Sequence, residues 1–210
     1  MHNHEHTNLQ TAGRVIHWAR LYDASAWLLK PVRKMTIEMA GLRVGDKVLD
    51  IGCGTGDLTI AAKLQAGPTG EVYGIDAAPE MIEVARYKAA RKKVDITFKD
   101  GLIENIPFPD NMFDMVLSSL MMHHLPDELK EKGIAEIYRV LKPGGRFFCI
   151  DLNPPDTLMF RILFTIVPSH NMEQLNLGKC VPIMEKVNFK AIEMGRTKYR
   201  MLAFVRGQRR

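Results

Sequence analysis

The sequence predicts an α/β fold, a doubly wound seven-stranded sheet that is mostly parallel and ends in an antiparallel hairpin. Three observations carry this. From Lys47 onward, short β-rich runs alternate with helical patterns, the mark of parallel strands with helices on both faces. The first run passes into a glycine-rich turn that opens a helix. After the fifth run the alternation stops, and two strand patterns follow with only a polar turn between them.

Residues 1–43 are helical and amphipathic, with Trp18, Leu21, Trp27 and Leu28 on apolar faces. The five runs are "KVLDI" at 47–51, "EVYGID" at 71–76, "DITFK" at 95–99, "FDMVLSS" at 113–119 and "GRFFCID" at 145–151. One helix opens where Ala78 precedes Pro79, a proline at the first helical position, with Met81, Ile82 and Ala85 on one face. Another runs over 126–140 with an apolar stripe of Leu129, Ile134, Ile137 and Val140. "KPGG" at 142–145 stops that helix and turns into the fifth strand. The stretch 191–207 reads as the closing hairpin.

The 210 residues suit one domain. Apolar content of 46% and charged content of 25% are those of an ordinary globular chain. The net charge of +5 is mild and partly local. "ARYKAARKK" at 85–93 closes a helix, where cations suit the negative end of the dipole, and Arg206, Arg209 and Arg210 form a solvated tail. Cys53, Cys149 and Cys180 are too few and too scattered for a disulfide framework or a zinc site, which points to a reducing compartment. No signal pattern and no apolar run of about 18–20 residues is present, so a cytoplasmic location is expected. His2, His4 and His6 alternate at the start and receive no role.

The stretch "VLDIGCGTGDLTIAA" carries the chemistry. Gly52, Gly54 and Gly56 stand between a strand and a helix, where a bare backbone can approach a ligand closely. Asp76 closes the second strand, placed to accept from both hydroxyls of a ribose. A dinucleotide fingerprint would put its third glycine at 57, where Asp57 stands instead. A carboxylate there repels a pyrophosphate, and Asp50 adds a second negative charge. Together they suit a ligand whose near end is cationic, an ammonium with a sulfonium, and so favour S-adenosylmethionine over NAD.

On these residues the chain resembles the class I S-adenosylmethionine-dependent methyltransferases, whose fold is Rossmann-like. "VLDIGCGTG" is similar to their first motif, and Asp76 in "VYGIDAAPEMIEVAR" to their ribose-binding acid. "IPFPDNMFDMVLSS" and "RVLKPGGRFFCID" are similar to the segments that lead into their fourth and fifth strands. The likeness covers residues 44–152 and is strongest to the quinone-biosynthesis C-methyltransferases and their small-molecule relatives. It implies that Asp50 orients the glycine loop and the methionine ammonium. Gly52, Gly54 and Gly56 would admit the methionine and sulfonium portion. Asp76, with Ala77 beside it, would hold the ribose. Asp100, Gly101 and Leu102 would meet the adenine, Ser118 would line the methionine side, and Tyr22 would close over the cofactor. The product would be S-adenosylhomocysteine. "GLIEN" after Asp100 is longer than the family segment and is expected to shift the adenine contacts. The chain divides accordingly into a helical cap at 1–43, a cofactor-binding core at 44–152, an acceptor lid at 153–190 and the hairpin.

Methyl transfer from a sulfonium needs alignment and exclusion of water, and a base only where the nucleophile keeps its proton. His123 and His124, after the fourth strand, are the candidates for that base, or else pack and cap; Met121 and Met122 beside them line the pocket. "LMFRILFTIVPSH" at 158–170 is too short to span a bilayer. It would serve a greasy acceptor, a homodimer surface, transient membrane-surface contact or plain core. The expected acceptor is a small apolar or amphiphilic molecule. A polar amine, a thiol or a metalloid, and a non-catalytic S-adenosylmethionine-binding protein, stay as alternatives. Nucleic acid is not expected, because "DLNPPD" follows the fifth strand and lacks the aromatic that would stack a base.

Overall fold

The computed structural model of the chain describes residues 26–154 and 175–210. A single sheet of seven strands organises them: β1 (Lys47–Ile51), β2 (Glu71–Asp76), β3 (Thr97–Asp100), β4 (Phe113–Ser119), β5 (Leu141–Leu152), β6 (Lys190–Arg196) and β7 (Leu202–Gln208). The order across the sheet is β3-β2-β1-β4-β5-β7-β6. The first five strands are mutually parallel, while β7 lies antiparallel to both β5 and β6. The strand order reverses between β1 and β4, and ligands of such sheets bind at that point outside the carboxyl ends.

The helices follow from the pattern. α1 (Lys30–Ala40) starts on Pro31 and stops at Gly41, whose φ of 65° is left-handed. Its buried stripe is Val32, Met35, Thr36 and Ala40, while Leu28, expected on an apolar face, is 59% exposed. α2 (Asp57–Ala66) begins at the glycine loop. α3 (Pro79–Lys92) starts behind Ala78, buries Met81, Ile82 and Ala85, and ends on Arg91 and Lys92 before a left-handed Lys93. α4 (Asp127–Val140) carries Asp127 and Glu128 in its first turn, where they suit the dipole, and buries the expected stripe. α5 (Cys180–Lys186) buries Cys180 and Met184.

Alternation sorts the core to the two faces of the sheet. Leu49, Ile51, Val116, Phe147 and Cys149 face α4 and α5. Val48, Met115, Leu117, Phe148 and Ile150 face α1 and α2. Because β1 and β4 are covered on both sides, nearly every residue in them is buried.

Two strands differ from expectation. β3 begins two residues later than 95, and as the edge strand it buries only Phe98 of its four residues. β5 begins at Leu141, because "KPGG" joins the strand as a bulge rather than a free turn. The register with β4 shifts between Phe113 and Met115, and Gly144 is left-handed at φ 78°. The "GLIEN" segment packs against α4, where Ile103 lies so close to Gly133 that a Cβ there would sit 2.7 Å away. Arg139 fastens the same loop by donating to Ile106 O, Phe108 O and Asp110.

Candidate functional site

A cleft of about 450 Å³ opens at the switch point, where the glycine loop, α1 and the end of β4 meet. Asp50, Gly52 and Gly54 line it as expected. Thr55, Asp57, Arg33 and the Ser119–Leu120 turn complete it.

The three loop glycines do different jobs. All are left-handed, with φ of 69°, 53° and 79°. Gly52 lies under Met121, whose Cγ would stand 2.3 Å from a Cβ on that residue. Gly56 does not line the cleft. A Cβ there would meet Ala85 Cβ at 2.8 Å and Phe98 at 3.1 Å, so this glycine serves the packing of α2 on α3 and β3. Gly54 turns its N–H to Asp76 Oδ2 at 2.8 Å, and Ala78 N–H donates to Asp76 Oδ1 at 3.0 Å. Asp76 thus ties the loop to the start of α3 while staying partly exposed, with lone pairs left for a hydroxyl donor. Burial pushes its carboxyl above the usual range, against the pull of those amides.

Asp50 is 1% exposed and accepts from Thr59 Oγ1 at 2.6 Å. Desolvation lifts its carboxyl to about 7, opposed by the Thr59 hydrogen bond, with nearby Asp76 lifting it further and Arg33 lowering it. An ammonium brought to this buried acid at the cleft floor would favour its ionised form.

Asp57 corrects the charge argument drawn from the sequence. Its Oδ1 pairs with Lys88 Nζ at 2.6 Å and its Oδ2 with Arg33 Nη2 at 3.2 Å. The carboxylate is paired within the protein, so it does not supply the free negative charge that the sequence argument gave it. Arg33 and Lys88 were missed because each comes from a different helix, and nothing local in the sequence marks them.

The remaining expected residues are placed as follows. Asp100 ends β3 in register with Asp76 and is exposed. Gly101 is buried against Pro107, its N–H donating to Asp76 O at 3.0 Å. Leu102 bridges Asn105. All three flank Asp76 and, like Asp76 and Ala77 themselves, lie outside the lining of the cleft. Ala77 sits beside Asp76 at the same strand end and also donates to its carboxylate. Ser118 is fully buried in register with Cys149, and Ser119 lines the cleft in its place, since successive strand residues face opposite sides. Tyr22, Trp18, Leu21, the amino-terminal histidines and the stretch 158–170 lie outside the described residues.

His123 and His124 form a one-turn helix with Met122, their ring centroids 3.9 Å apart and their planes tilted by 43°. His123 is buried, and its Nδ1 lies 2.5 Å from Asp151 Oδ1 at the end of β5. Asp151 also accepts from the N–H of His123 at 3.3 Å and of Leu152 at 2.6 Å, which fixes the carboxylate. Of the two ring nitrogens of His123, Nδ1 is the one turned to the Asp151 carboxylate. Nothing local in the sequence joins Asp151 to His123, 28 residues away; the pairing of β4 with β5 brings them together. His123 and Asp151 border a narrow crevice, too tight for a water molecule, with Lys130, Asn176 and Cys180. Met122 lines it too, while Met121 covers Gly52. The three cysteines are free and buried, and burial pushes their thiols up.

Comparison with known proteins agrees with this geometry. Residues 48–145 match a family model described as a methyltransferase domain. The demethylmenaquinone methyltransferase of Geobacillus sp. strain WCH70 is 38% identical over 133 residues, 63% of this chain and 56% of that protein. The chain spans about half the length of the curated relatives it matches. A solved SAM-dependent methyltransferase from Aquifex aeolicus superposes with a TM-score of 0.68 at 24% identity, covering 90% of this chain and 95% of that one. Phosphoethanolamine N-methyltransferase 2 from Haemonchus contortus, solved with S-adenosyl-L-methionine, superposes with a TM-score of 0.74 at 19% identity, covering 91% and 57%.

The fold is the one seen in solved S-adenosylmethionine-dependent methyltransferases of class I, and residues 48–145, just under half of the chain, match a methyltransferase-domain model. Within that class the likeness is to the quinone C-methyltransferase type. The resemblance read from the four sequence motifs holds, and S-adenosylmethionine is the cofactor the class implies. The buried carboxylate of Asp50 and the partly exposed Asp76 fit it, the first for a cation and the second for ribose hydroxyls.

Proposed function

We propose that the protein transfers a methyl group from S-adenosylmethionine to a small apolar or amphiphilic acceptor, with a ring hydroxyl or ring carbon as the favoured target. The observation that carries this reading is the switch-point cleft, which buried Asp50 and Gly54 line, with Gly54 tethered to Asp76 at the end of the adjacent strand. Asp50 would meet the ammonium, the glycine loop the methionine portion and Asp76 the ribose. Asp100, Gly101 and Leu102 would lie on the adenine side.

The acceptor class rests on the 38% identity to a demethylmenaquinone methyltransferase. That likeness and the apolar stretch 158–170 favour an aromatic or isoprenoid-bearing molecule. We assign 153–190 to acceptor binding and 1–43 to capping the cofactor. His123, oriented by Asp151, would take the proton of an acceptor hydroxyl on Nε2. No helix among the described residues is long and apolar enough to cross a membrane, so the chain would meet a greasy acceptor from the aqueous side.

A methyl-release screen across quinol, phenol, amine and thiol acceptors tests the proposal. Turnover is expected with quinols or phenols. Turnover restricted to amines or thiols would overturn the acceptor class, and tight cofactor binding with no turnover on any would favour a sensor.

A further inference from the structure

Lys130 is only 1% exposed, and a buried ammonium is costly unless anions stand near it. α4 carries it into the narrow crevice that His123, Asp151 and Cys180 also line. Its Nζ lies 3.3 Å from Asp127 Oδ1, but the Asp127 side chain is 55% exposed and Lys179 holds its other oxygen at 2.7 Å. The second carboxylate of the crevice is Asp151, which is buried and joined to His123. Cys180 shows how far these charges reach. Burial pushes its thiol up to about 12, Lys130 pulls it down, and Asp151 and Asp127 push it further up. The crevice is too tight for water, so charges that face it are weakly screened.

We propose that Lys130 is a positioning residue whose charge, acting across the crevice, sets how tightly the His123–Asp151 pair holds a proton. This rests on the proposed function, in which His123 takes the acceptor's proton, and names the residue that tunes that step. Among the described residues, the groups around His123 are Asp151 on β5, His124 beside it, Lys130 on α4 and Cys180 on α5. Cys149 on β5 is near enough to Asp151 to feel its charge, and Asp127 and Lys179 stand beyond Lys130. Burial pushes both thiols up, so they add no charge at neutral pH. Removing the Lys130 cation makes the pair hold its proton more tightly, and removing the outer Asp127 carboxylate does the reverse.

Proton–carbon NMR titration of the His123 ring in the full chain, free of ligand, tests this, with His123→Ala assigning the signal. Lys130→Met keeps a long, buried side chain without the charge and is expected to raise the titration midpoint by about one pH unit. Asp127→Asn changes an exposed residue and is expected to lower the midpoint by about 0.3 of a unit. The acid limb of methyl transfer to a phenolic acceptor should move with the midpoint in each variant. A merely structural role for Lys130 would cut turnover alike at every pH and move no midpoint. An unmoved midpoint in Lys130→Met overturns the inference, and should that variant fail to fold, an unmoved or raised midpoint in Asp127→Asn does so. Full turnover in His123→Ala would overturn the base of the proposed function, whereas opposite midpoint shifts in the two variants would still uphold the coupling.

Discussion

Asp50 gives the sharpest handle on the site. Its carboxyl is held at about 7 by burial in the free protein. If the ligand's ammonium lies against it, binding favours the ionised form and the proton must leave. From a value near 7, the free protein carries about 0.9 of a proton on Asp50 at pH 6 and about 0.1 at pH 8. Titration with S-adenosylhomocysteine at pH 6, repeated in buffers of different ionisation enthalpy, should therefore show release of close to one proton, fading by pH 8. Asp50→Asn should abolish the release and weaken binding about 10- to 100-fold. The sign for stability follows from the same shift. Asp50 holds its proton more tightly folded than unfolded, so its contribution is full below the unfolded value of about 4 and is lost as pH rises through about 7. That loss is worth roughly 4 kcal/mol, and Asp50→Asn should flatten it. Binding enthalpies identical in every buffer at pH 6 would refute the placement of a cation against Asp50.

Asp76→Ala removes the acceptor for Gly54 and Ala78 along with the proposed ribose contact. Affinity for S-adenosylhomocysteine should fall at least about 100-fold by calorimetry, and a change under threefold would contradict the role. Gly56→Ala forces a left-handed φ on a side chain that also meets Ala85 and Phe98. Urea unfolding should show a loss of about 2–4 kcal/mol with an unchanged slope, and a loss below about 1 would refute the packing argument. His123→Ala and Asp151→Asn should each cut methyl transfer to a phenolic acceptor at least about tenfold while leaving S-adenosylhomocysteine affinity in place. His124→Ala should do less, and full turnover in both His123 and Asp151 variants would remove the base.

The strands that the sequence predicts to the residue are β1, β2 and β4. β1 and β4 are covered on both faces, so burial writes a near-continuous apolar run into the chain, and β2 is bounded by the turn before it and Asp76 at its end. β3 was blurred because an edge strand with one buried residue carries little pattern. β5 was begun late because "KPGG" has the composition of a turn, although pairing with β4 and β7 carries it as a bulge. The candidate site residues Asp50 and Asp76, at the carboxyl ends of β1 and β2, are legible because their position in the alternation is local. Arg33, Lys88 and Thr59 were not, because tertiary packing alone brings them to Asp57 and Asp50. Ser119 was missed in favour of Ser118 by one residue, and in a strand one residue turns a side chain to the opposite face.

The most direct test of the account is a pair of calorimetric titrations, one with S-adenosylmethionine and one with NAD. Saturable binding of the sulfonium nucleoside and none of the dinucleotide is the expected result. Binding of NAD with no response to S-adenosylmethionine would contradict the assignment of the glycine-loop cleft and everything built on it.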